Sequence, residues 1–521
     1  MVFPSLLRSK RPAALQGKDD QQITEETVLD SAGKLDFGEF ELQLFDNRYM
    51  VKDEPVVKRG GWLRPSCIPI TIILILIILV VLFPLLDHSR ENARNAASAN
   101  RTHLFGNNCT DSCLFTLVES IPENLTFPTG APHHMSIFDA WNILLDSATS
   151  QVHIASFYWT LRGKDIDVDD PSDWQGEEIF SKLMYMGRNQ SIDILIAQNA
   201  PSKFMPSKDT EDFAKAGAAK VRSVDFNALL GAGVLHTKFW IVDRRHFFVG
   251  SANMDWRSLT QVKEIGALVM NCSCLAQDLE KVFDVYWSLG LPNATIPQHW
   301  PASLSTVFNK EAPAYPEFNG TATATYFSSS PAPLSPEGRT NDIDSILDTI
   351  HKANEYIYIS VMDYYPITLY TSRTLFWPVI DDALRAAAIE RGIHVRLLVS
   401  KWNHTRPEME RYLSSLAVIR SKEVHIEVKL FIVPAFTPAQ QKIPASRVNH
   451  DKYMVTDNAA FIGTSNWAGD YFINTAGVSM VMQQPQNDSS SVQPIRQQLC
   501  DVFERDWHSP YAHPLLSHNE L

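Results

Sequence analysis

The sequence predicts an α/β protein of two similar lobes, preceded by a single transmembrane helix. Three observations lead to this prediction: a polar N-terminal tail, one apolar segment without charges, and a series of helices and strands that occurs twice in the remaining chain. Strands that alternate with helices are typical of an α/β sandwich, and we expect a largely parallel sheet in each lobe. The predicted fold class is therefore α/β, with two α/β/α sandwich lobes.

The N-terminal region predicts a membrane anchor. Residues 1–66 are polar and of mixed charge, which is typical of a disordered tail. Residues 67–86 read CIPITIILILIILVVLFPLL, and about 20 such residues are enough to cross a hydrocarbon layer of ~30 Å. A cleaved signal peptide begins nearer the N-terminus, and a buried core helix is rarely so uniformly apolar. We therefore assign residues 67–87 to a transmembrane signal-anchor helix.

The charges around this segment predict its orientation. Asp87 and His88 follow the segment, whereas basic residues precede it, namely Lys58, Arg59 and Arg64. The positive-inside rule places the tail in the cytosol and a stalk, residues 88–106, in the lumen. N-glycosylation sequons support a lumenal body because all of them follow the segment. They are Asn100, Asn108, Asn124, Asn189, Asn271, Asn293, Asn319, Asn403 and Asn487.

Four cysteines after the segment stand in two close pairs, Cys109 with Cys113 and Cys272 with Cys274. Zinc binding is one interpretation of four such cysteines. An oxidising lumen favours disulfide bonds instead. Cys500 has no evident partner.

The internal repeat defines the two lobes. LLDSATSQVHIASFYW (144–159) resembles ILDTIHKANEYIYISVMDYY (346–365), and later strands match as well. Each half is predicted to run helix, strand, helix, strand, strand, and then a final strand that carries a polar motif. We assign residues 107–300 to the first lobe and residues 341–521 to the second. Residues 301–340, rich in Pro, Ser, Thr and Ala, are expected to connect the lobes along the surface.

The motif is the most informative part of the repeat. VLHTKFWIVD (234–243) and VNHDKYMVTD (448–457) share three polar residues at equal spacing, and each is followed by a glycine, a hydroxyl residue and an asparagine. A histidine and a lysine two residues apart lie on the same face of a strand. This pattern indicates a shared site, and the alternative interpretation is that both motif strands expose these faces to solvent. The repeated residues are His236, Lys238, Asp243, Gly250, Ser251 and Asn253 in the first half, and His450, Lys452, Asp457, Gly463, Thr464 and Asn466 in the second.

A site shared by both motifs would suit a phosphodiester. Lysines and amide donors neutralise phosphate oxygens and the charge that builds up in the transition state. One histidine can attack phosphorus while the other protonates the leaving oxygen, after which water releases the product. We expect each aspartate to orient a histidine by accepting its second ring proton. Phosphate contacts are predicted from Ser251, Asn253, Thr464 and Asn466, with no metal and no cofactor.

These residues resemble the phospholipase D superfamily, whose pattern H-x-K-x4-D followed by G-[ST]-x-N occurs here twice. The sequence around the motifs resembles the transmembrane phospholipase D types 3 and 4 over residues 107–513. Segments that carry this resemblance include SFYWTL, GVLHTKFWIVD, GSANMDWRSLTQVKEIG, NCSCLAQDLEKVF and ERDWHSPYAH. The resemblance implies a bilobal phospholipase D fold with one shared active site, in which His236 is the nucleophile and His450 the general acid. It also implies the disulfide pairs Cys109–Cys274 and Cys113–Cys272.

The resemblance further implies a lysosomal 5′→3′ exonuclease of single-stranded DNA and RNA that acts at acidic pH. Such an enzyme releases nucleoside 3′-phosphates through a phosphohistidine intermediate and limits nucleic-acid sensing in endolysosomes. The alternative is a phospholipid phosphodiesterase or transphosphatidylase that makes bis(monoacylglycero)phosphate. A tethered binding protein without activity is disfavoured by the intact motifs. Passage through the ER and Golgi, proteolytic release of a soluble lumenal form and a homodimer are further expectations.

This chain departs from the pattern of types 3 and 4 at three positions. Asp457 stands where those relatives carry Glu, and Ser335 and Lys401 stand where they carry cysteines. A disulfide in the second lobe is therefore not expected. The choice between type 3 and type 4 stays open.

Composition bears on the substrate. The formal charge of −13 at pH 7 excludes a broadly basic surface for nucleic acid. The 16 histidines titrate near pH ~6.5, so an acidic compartment makes the protein less negative. Aromatic residues near the site are candidates for stacking on a terminal base, with core packing as the alternative. They are Phe157, Tyr158, Trp159, Tyr364 and Tyr365.

Overall fold

Two mixed β-sheets, one from each half of the chain, form the framework of the protein. The computed structural model describes residues 109–203, 205–484 and 493–515. The predicted tail, signal-anchor helix and stalk lie outside these residues. Among the helices of the described ranges, none has the length and apolar character needed to cross a membrane.

The first half alternates strands with helices, as its sequence pattern predicts. The strands are β1 (Ser112–Ser120), β2 (Met135–Ser136), β3 (Gln151–Ser156), β4 (Trp159–Thr160), β5 (Asp193–Asn199), β6 (Lys220–Val224), β7 (Phe239–Val242), β8 (His246–Gly250), β9 (Met254–Asp255) and β10 (Glu264–Met270). The helices are α1 (Ile137–Ser147), α2 (Trp174–Asn189), α3 (Lys208–Lys215), α4 (Phe226–Leu230), α5 (Trp256–Thr260) and α6 (Ser273–Leu289).

The second half repeats this order. Its strands are β11 (Glu317–Phe318), β12 (Thr321–Ala322), β13 (Ala324–Ser330), β14 (Thr340–Asn341), β15 (Tyr356–Val361), β16 (Tyr364–Tyr365), β17 (His394–Ser400), β18 (Ile426–Phe431), β19 (Lys452–Thr456), β20 (Ala459–Gly463), β21 (Trp467–Ala468), β22 (Gly477–Gln483) and β23 (Ala512–Pro514). Its helices are α7 (Asp342–Lys352), α8 (Val379–Arg391), α9 (Pro407–Ala417), α10 (Pro438–Lys442), α11 (Asp470–Ile473) and α12 (Ile495–Trp507).

The sheets are mixed, so the expectation of largely parallel sheets is wrong. In the first sheet β3, β5 and β6 are parallel, whereas β7, β8, β10 and β1 continue it in antiparallel fashion. The second sheet repeats this arrangement around β15, β17 and β19. The strand after each motif returns through a short turn, and only antiparallel strands can be joined so directly.

Two further sequence-based expectations need correction. Helices α3 and α9 lie between strands that were predicted to follow each other directly. Residues 301–340 are not merely a surface connection, because β11 pairs with β1 of the first sheet and β13 pairs with β22 inside the second. Phe327 of β13 is fully buried, which explains the apolar and aromatic residues of this segment.

A shared core lies between the two sheets. Helices α6 and α12 contribute Phe283 and Phe503 to a cluster that also contains residues of both sheets. The rings of Phe247 and Phe327, one from each half, have centroids 5.5 Å apart. Burying a large apolar side chain contributes roughly 1.5–3 kcal/mol, so this core holds the halves in a fixed relation. Both halves belong to one compact unit of the chain.

Both predicted disulfides are confirmed. Cys109–Cys274 and Cys113–Cys272 have Cα–Cα distances of 5.5 and 5.0 Å and join the start of β1 to the start of α6. The zinc interpretation is therefore wrong, since the four thiols are consumed in these bonds. Cys500 is a buried free thiol on α12.

The predicted glycosylation sites differ in accessibility. Asn124, Asn189, Asn293 and Asn403 are exposed, whereas Asn100, Asn108 and Asn487 lie outside the described residues. Asn271 and Asn319 are partly buried. The side chain of Asn319 donates to the Phe115 carbonyl at 2.9 Å and accepts from the Phe115 amide at 3.0 Å. This asparagine therefore already has a structural role.

Candidate active site

Each motif histidine is held by the backbone of the opposite half. The His236 amide donates to the Ala476 carbonyl at 3.0 Å, and the His450 amide donates to the Lys263 carbonyl at 2.8 Å. These contacts belong to two isolated parallel bridges, Leu235 with Ala476 and Lys263 with Asn449. The bridges explain why two motifs far apart in sequence meet at one place.

The two histidines line a cavity of about 250 Å³, which we call the histidine cavity. His236 and His450 are 5% and 8% exposed, so their rings reach solvent only through this cavity. The structure also brings Asn253 and Asn466 to its wall, as predicted. Further lining residues are Phe157, Tyr158, Asp255, Arg257, Ser258, Val262, Glu264, Met362, Asp363, Tyr370, Trp402, Ala445, Val448 and Tyr471.

The motif lysines lie behind the histidines. Lys238 and Lys452 are fully buried, and each ammonium donates to the carbonyl of the histidine two residues earlier, at 2.5 Å. Burial lowers the pKa of Lys238 well below its usual range and lowers that of Lys452 to about 8, despite the nearby Glu264. With a pKa of about 8, Lys452 is charged at neutral and acidic pH, and an anion in the cavity would favour the charged form of Lys238 as well. The two lysines can therefore supply positive potential behind the histidines.

The environment also favours neutral histidines. Burial lowers the pKa of both His236 and His450 well below the usual value, and the charges of Lys238 and Lys452 lower them further. A neutral imidazole has a free lone pair, which nucleophilic attack requires.

Glu264 distinguishes the two histidines. Its carboxylate contacts His450 Nδ1 at 2.8 Å, whereas His236 Nδ1 has no hydrogen-bond partner among the described residues. Burial raises the pKa of Glu264 to about 7, although Lys452 and two serine hydroxyls pull in the opposite direction. Glu264 and His450 therefore form a buried pair that shares one proton.

The prediction that each motif aspartate orients a histidine by accepting its second ring proton is wrong. Asp243 accepts hydrogen bonds from Thr149, Ser150 and Gln151 at 2.7–2.9 Å. These bonds lower its pKa to about 2, even though partial burial acts in the other direction. The carboxylate caps the turn before β3, at the far end of β7 from His236.

Asp457 occupies the matching place in the second half. It accepts hydrogen bonds from the amides of Asn354 and Glu355 at 2.9 and 3.1 Å. The motif aspartates therefore anchor the end of the motif strand to the turn before the neighbouring strand. Since both aspartates form these equivalent hydrogen bonds away from the histidines, we assign them a structural role in the repeat.

The two hydroxyls predicted to contact phosphate are bonded to backbone groups. Ser251 Oγ donates to the Ile265 carbonyl and accepts from the Ile265 amide, at 3.1 and 3.0 Å. Thr464 Oγ1 accepts from the Val478 amide at 3.0 Å. Both hydroxyls lie outside the lining of the histidine cavity, and their bonds pin the strand ends that carry the asparagines.

The asparagines have unused polar atoms. Asn466 Nδ2 donates to Asp363 at 2.9 Å and to Tyr471 at 3.2 Å, while Asn253 Nδ2 lies 3.4 Å from the Tyr158 hydroxyl. The amide oxygens of both asparagines are buried without a partner among the described residues. Amide oxygens accept hydrogen bonds, so these two atoms are suited to a donor such as water or a base N–H rather than to a phosphate oxygen.

The aromatic predictions are met in part. Phe157 and Tyr158 line the histidine cavity, and the Phe157 and His236 ring centroids are 5.1 Å apart. Trp159, Tyr364 and Tyr365 are 2–3% exposed and pack in the cores of their halves, so their stacking role is wrong. Tyr471 was not predicted, although its ring lies 5.1 Å from that of His236.

Sequence reasoning missed three acidic residues of the cavity. Glu264, Asp255 and Asp363 lie outside the matching positions of the motif repeat. Asp255 is paired with Arg257 at 2.6 Å, and burial raises the pKa of Asp363 to about 6. The repeat could not reveal Glu264, because its counterpart beside the other bridge is Gly477.

A buried charge cluster supports the bridge that carries His450. Lys263 contacts Asp451 at 2.5 Å and Asp506 at 2.7 Å, and all three side chains are fully buried. Burial lowers the pKa of Lys263, but the attraction of the two aspartates outweighs it and leaves the pKa raised. The cluster fixes the backbone on both sides of the Glu264–His450 contact.

Comparison with known proteins agrees with this arrangement. The family profile described as "PLD3/4, PLD-like domain" matches residues 129–436. The 5'-3' exonuclease PLD3 of Xenopus laevis is 47% identical over 473 residues, which cover 90% of this chain and 94% of that protein.

Two mammalian proteins are similarly close. The 5'-3' exonuclease PLD3 of Homo sapiens is 48% identical, with 79% of this chain and 84% of that protein covered. The 5'-3' exonuclease PLD4 of Mus musculus is also 48% identical, with 77% of this chain and 80% of that protein covered. With its mixed α/β phospholipase D fold and its two motifs at one cavity, this chain belongs to the PLD3/4 family of phospholipase D-like proteins.

Proposed function

We propose that this protein is a 5′→3′ exonuclease that degrades single-stranded DNA and RNA to nucleoside 3′-phosphates. The observation that carries the proposal is the pair of histidines from two halves at one cavity, backed by buried lysines. Its relatives, which are 47–48% identical, are named 5'-3' exonucleases, which supports the exonuclease part of the proposal. The catalytic set proposed is His236, Lys238, His450 and Lys452, with Asp243 and Asp457 holding the motif strands.

The proposed reaction has two steps at one phosphorus atom. A ring nitrogen of His236 forms a bond to the phosphorus between the first and second nucleotides, and the bond to the O5′ of the second nucleotide breaks. His450 gives its proton to that O5′, which leaves as a 5′-hydroxyl. Water then attacks the phosphohistidine, His450 takes a proton from the water, and the nucleoside 3′-phosphate leaves.

The contact with Glu264 supports these roles. A general acid must keep a proton at the start of the reaction, and the pair of Glu264 and His450 holds one. His236 lacks a carboxylate partner because Gly477 stands at the corresponding place. It therefore stays neutral and nucleophilic.

The size of the histidine cavity supports a single-stranded substrate. Its volume of about 250 Å³ is below the ~300–1,000 Å³ that is usual for ligand pockets. Such a cavity has room for a phosphodiester and a terminal nucleoside but not for a duplex. Phe157 and Tyr158 provide aromatic surface for the base.

A phospholipid phosphodiesterase or transphosphatidylase is the second candidate, and one observation favours it. The loop beside the histidine cavity exposes Tyr370, Leu375 and Phe376 by 56%, 47% and 74%. Exposed apolar side chains next to an active site are suited to a lipid surface. The two candidates share the same chemistry and differ in the substrate that is presented.

The deciding experiment supplies both substrate classes to the full-length protein in detergent micelles. We expect 5′-hydroxyl single-stranded DNA to yield nucleoside 3′-phosphates one at a time, and duplex DNA to resist. The His236→Ala variant controls for contaminating nucleases. Release of nucleoside 5′-phosphates, or turnover of phosphatidylglycerol without turnover of DNA, would contradict the proposal.

The roles of the histidines need a separate test. In His450→Ala, a substrate with a p-nitrophenolate leaving group needs no proton donor, so a burst of p-nitrophenol and a phosphoenzyme on His236 are expected. His236→Ala should give neither. Phosphate found on His450 in the His236→Ala variant would reverse the assignment.

We further propose that residues 67–87 anchor the protein in the membrane as a type II protein, with residues 107–521 in the lumen of the endosome and lysosome. The support is the charge-free apolar segment and the sequons that follow it. Protease added to sealed microsomes should remove only the tail, and endoglycosidase should shift the protected fragment. Digestion of the histidine-containing region in sealed vesicles contradicts this topology.

A further inference from the structure

A second cavity, larger than the one that contains the histidines, lies in the second half. It measures about 440 Å³ and is formed by residues 401–404, 432–435 and 440–447. We call it the side cleft. It shares Trp402 and Ala445 with the histidine cavity, so the two spaces adjoin.

The position of the side cleft follows from the sheet. Residues 401–404 and 432–435 follow β17 and β18, which are parallel neighbours, and ligands of such sheets bind beyond the carboxyl ends of the strands. Residues 440–447 lead directly into Val448 and His450. The side cleft therefore lies on the His450 side of the reacting phosphate.

The two halves differ in the segment that connects the last parallel strand to the motif. In the first half residues 225–233 connect β6 to the motif, whereas in the second half the longer segment 432–447 makes this connection. The Leu235 amide of the first half donates to Asn199 Oδ1 at 2.9 Å, which ties the shorter connection to the end of β5. The longer segment of the second half instead forms one wall of the side cleft, next to His450.

The side cleft is cationic on an otherwise acidic protein. The chain carries −13 charges at pH 7, yet among the described residues that line the cleft none is acidic. Its basic residues are Lys401, His404, Lys442 and Arg447. Local positive potential of this kind attracts a polyanion even when the net charge is negative.

Two of these groups are available to a ligand. Arg447 is bonded to the carbonyls of Pro434 and Glu123, and Lys401 is paired with Glu410 at 2.9 Å. Lys442 is exposed and forms no ion pair with any described residue. His404 is exposed as well, and its ring lies next to that of Trp402, with centroids 4.6 Å apart. The half-buried Trp402 stands between the two spaces and offers an aromatic face at their junction.

We propose that the side cleft binds the leaving strand, that is, the nucleotides on the 3′ side of the phosphodiester that is cut. The proposal rests on the exonuclease function and on His450 as the acid. The leaving O5′ must lie next to the proton donor, and the strand attached to that oxygen then continues on the same side. Trp402 stacks on the base of the second nucleotide, and Lys442 and His404 face the phosphates that follow.

The test compares substrates that differ only in whether they fill the side cleft. One is 5′-hydroxyl decathymidylate, and the other is thymidine 3′-(p-nitrophenyl phosphate), which has no second nucleotide. The measured quantity is the ratio of their kcat/KM values in the full-length protein. Lys442→Glu should lower this ratio about tenfold, and Trp402→Ala should also lower it. Lys422→Glu is the matched control, since Lys422 is an exposed lysine of the same half outside the cleft.

A second readout is the salt dependence of decathymidylate binding, measured with the His236→Ala variant as background. Each phosphate contact steepens the slope of log K against log salt by about 0.7 for single strands. Lys442→Glu should make the slope shallower by about this amount, and Lys422→Glu should not. A wild-type ratio and slope in Lys442→Glu would refute the side cleft as a strand site. If the wild type cuts neither substrate, the exonuclease function itself fails.

Discussion

Glu264 of the first half and His450 of the second half are joined by a contact of 2.8 Å between Oε2 and Nδ1. The contact exists because the strand that begins at Glu264 follows the bridge at which Lys263 pairs with Asn449. The proposed proton donor of one half therefore has its carboxylate partner in the other half. An active site that both halves complete cannot form in either half alone.

Replacing Glu264 by glutamine should change the pH profile of kcat. Burial raises the pKa of Glu264 to about 7, so the pair with His450 loses its shared proton as the pH rises through this value. In Glu264→Gln the proton rests on His450 alone, whose pKa is lowered by burial and by Lys452 and Lys238. The basic limb should move to lower pH, with kcat near neutrality about tenfold to hundredfold lower.

The measurement is release of nucleotides against pH for both proteins, with thermal melting as a control for folding. If kcat falls equally at all pH values and the basic limb of the pH profile does not shift, Glu264 acts on the fold and not on the proton of His450.

Replacing Asp243 by asparagine should lower stability more than activity. Its pKa is about 2 in the folded protein, below the value of ~3.9 in an unfolded chain. A depressed pKa contributes stability that is present above the unfolded value and is lost as the pH falls through the folded value. Because Asp243 is only partly buried, we expect a loss of about 1–2 kcal/mol in the free energy of unfolding, equal at neutral and lysosomal pH.

Denaturant unfolding at several pH values provides the measurement. The difference between Asp243→Asn and wild type should shrink only below about pH 4. If Asp243→Asn has normal stability but no turnover, Asp243 takes part in catalysis.

The buried cluster around Lys263 should be essential for folding. Lys263→Met leaves Asp451 buried without its cation and Asp506 with Arg505 alone, and an uncompensated buried charge typically costs about 3–5 kcal/mol. Lys220→Met is the matched control because its partner Asp193 is exposed, and such a pair contributes about 0–1 kcal/mol. The measurement is the melting temperature of each variant, and Lys263→Met should melt at a clearly lower temperature than Lys220→Met. Equal melting temperatures would mean that the cluster contributes nothing net.

A negative charge at Asn466 should weaken substrate binding. The side chain lines the histidine cavity and lies 2.9 Å from Asp363, so Asn466→Asp places a second carboxylate where phosphate is expected. We expect kcat/KM to fall about a hundredfold or more, with Asn466→Ala less affected because it removes a donor without adding charge. Steady-state kinetics of the two variants provide the comparison. A greater loss in the alanine variant would contradict an electrostatic role.

Much of this protein is determined locally in the sequence. The repeat of helices and strands, the identity of the motif residues and the two cysteine pairs follow from periodicity, spacing and family resemblance. The mixed character of the sheets does not, because strand direction depends on whether a connection is a short turn or a crossover. The place of residues 324–330 inside the second sheet also follows only from pairing over long distances.

At the active site the sequence determined which residues are exceptional, and the tertiary structure decided what each one does. The repeat singled out His236, His450 and the aspartates as equivalent pairs. The fold made them unequal, because Glu264 faces one histidine while its counterpart, Gly477, has no side chain to offer the other. In the fold, the aspartates accept hydrogen bonds from turns at the ends of the motif strands far from the histidines. Such roles depend on which backbone segments of the two halves lie side by side. A local sequence pattern cannot predict contacts between residues that are far apart in the chain.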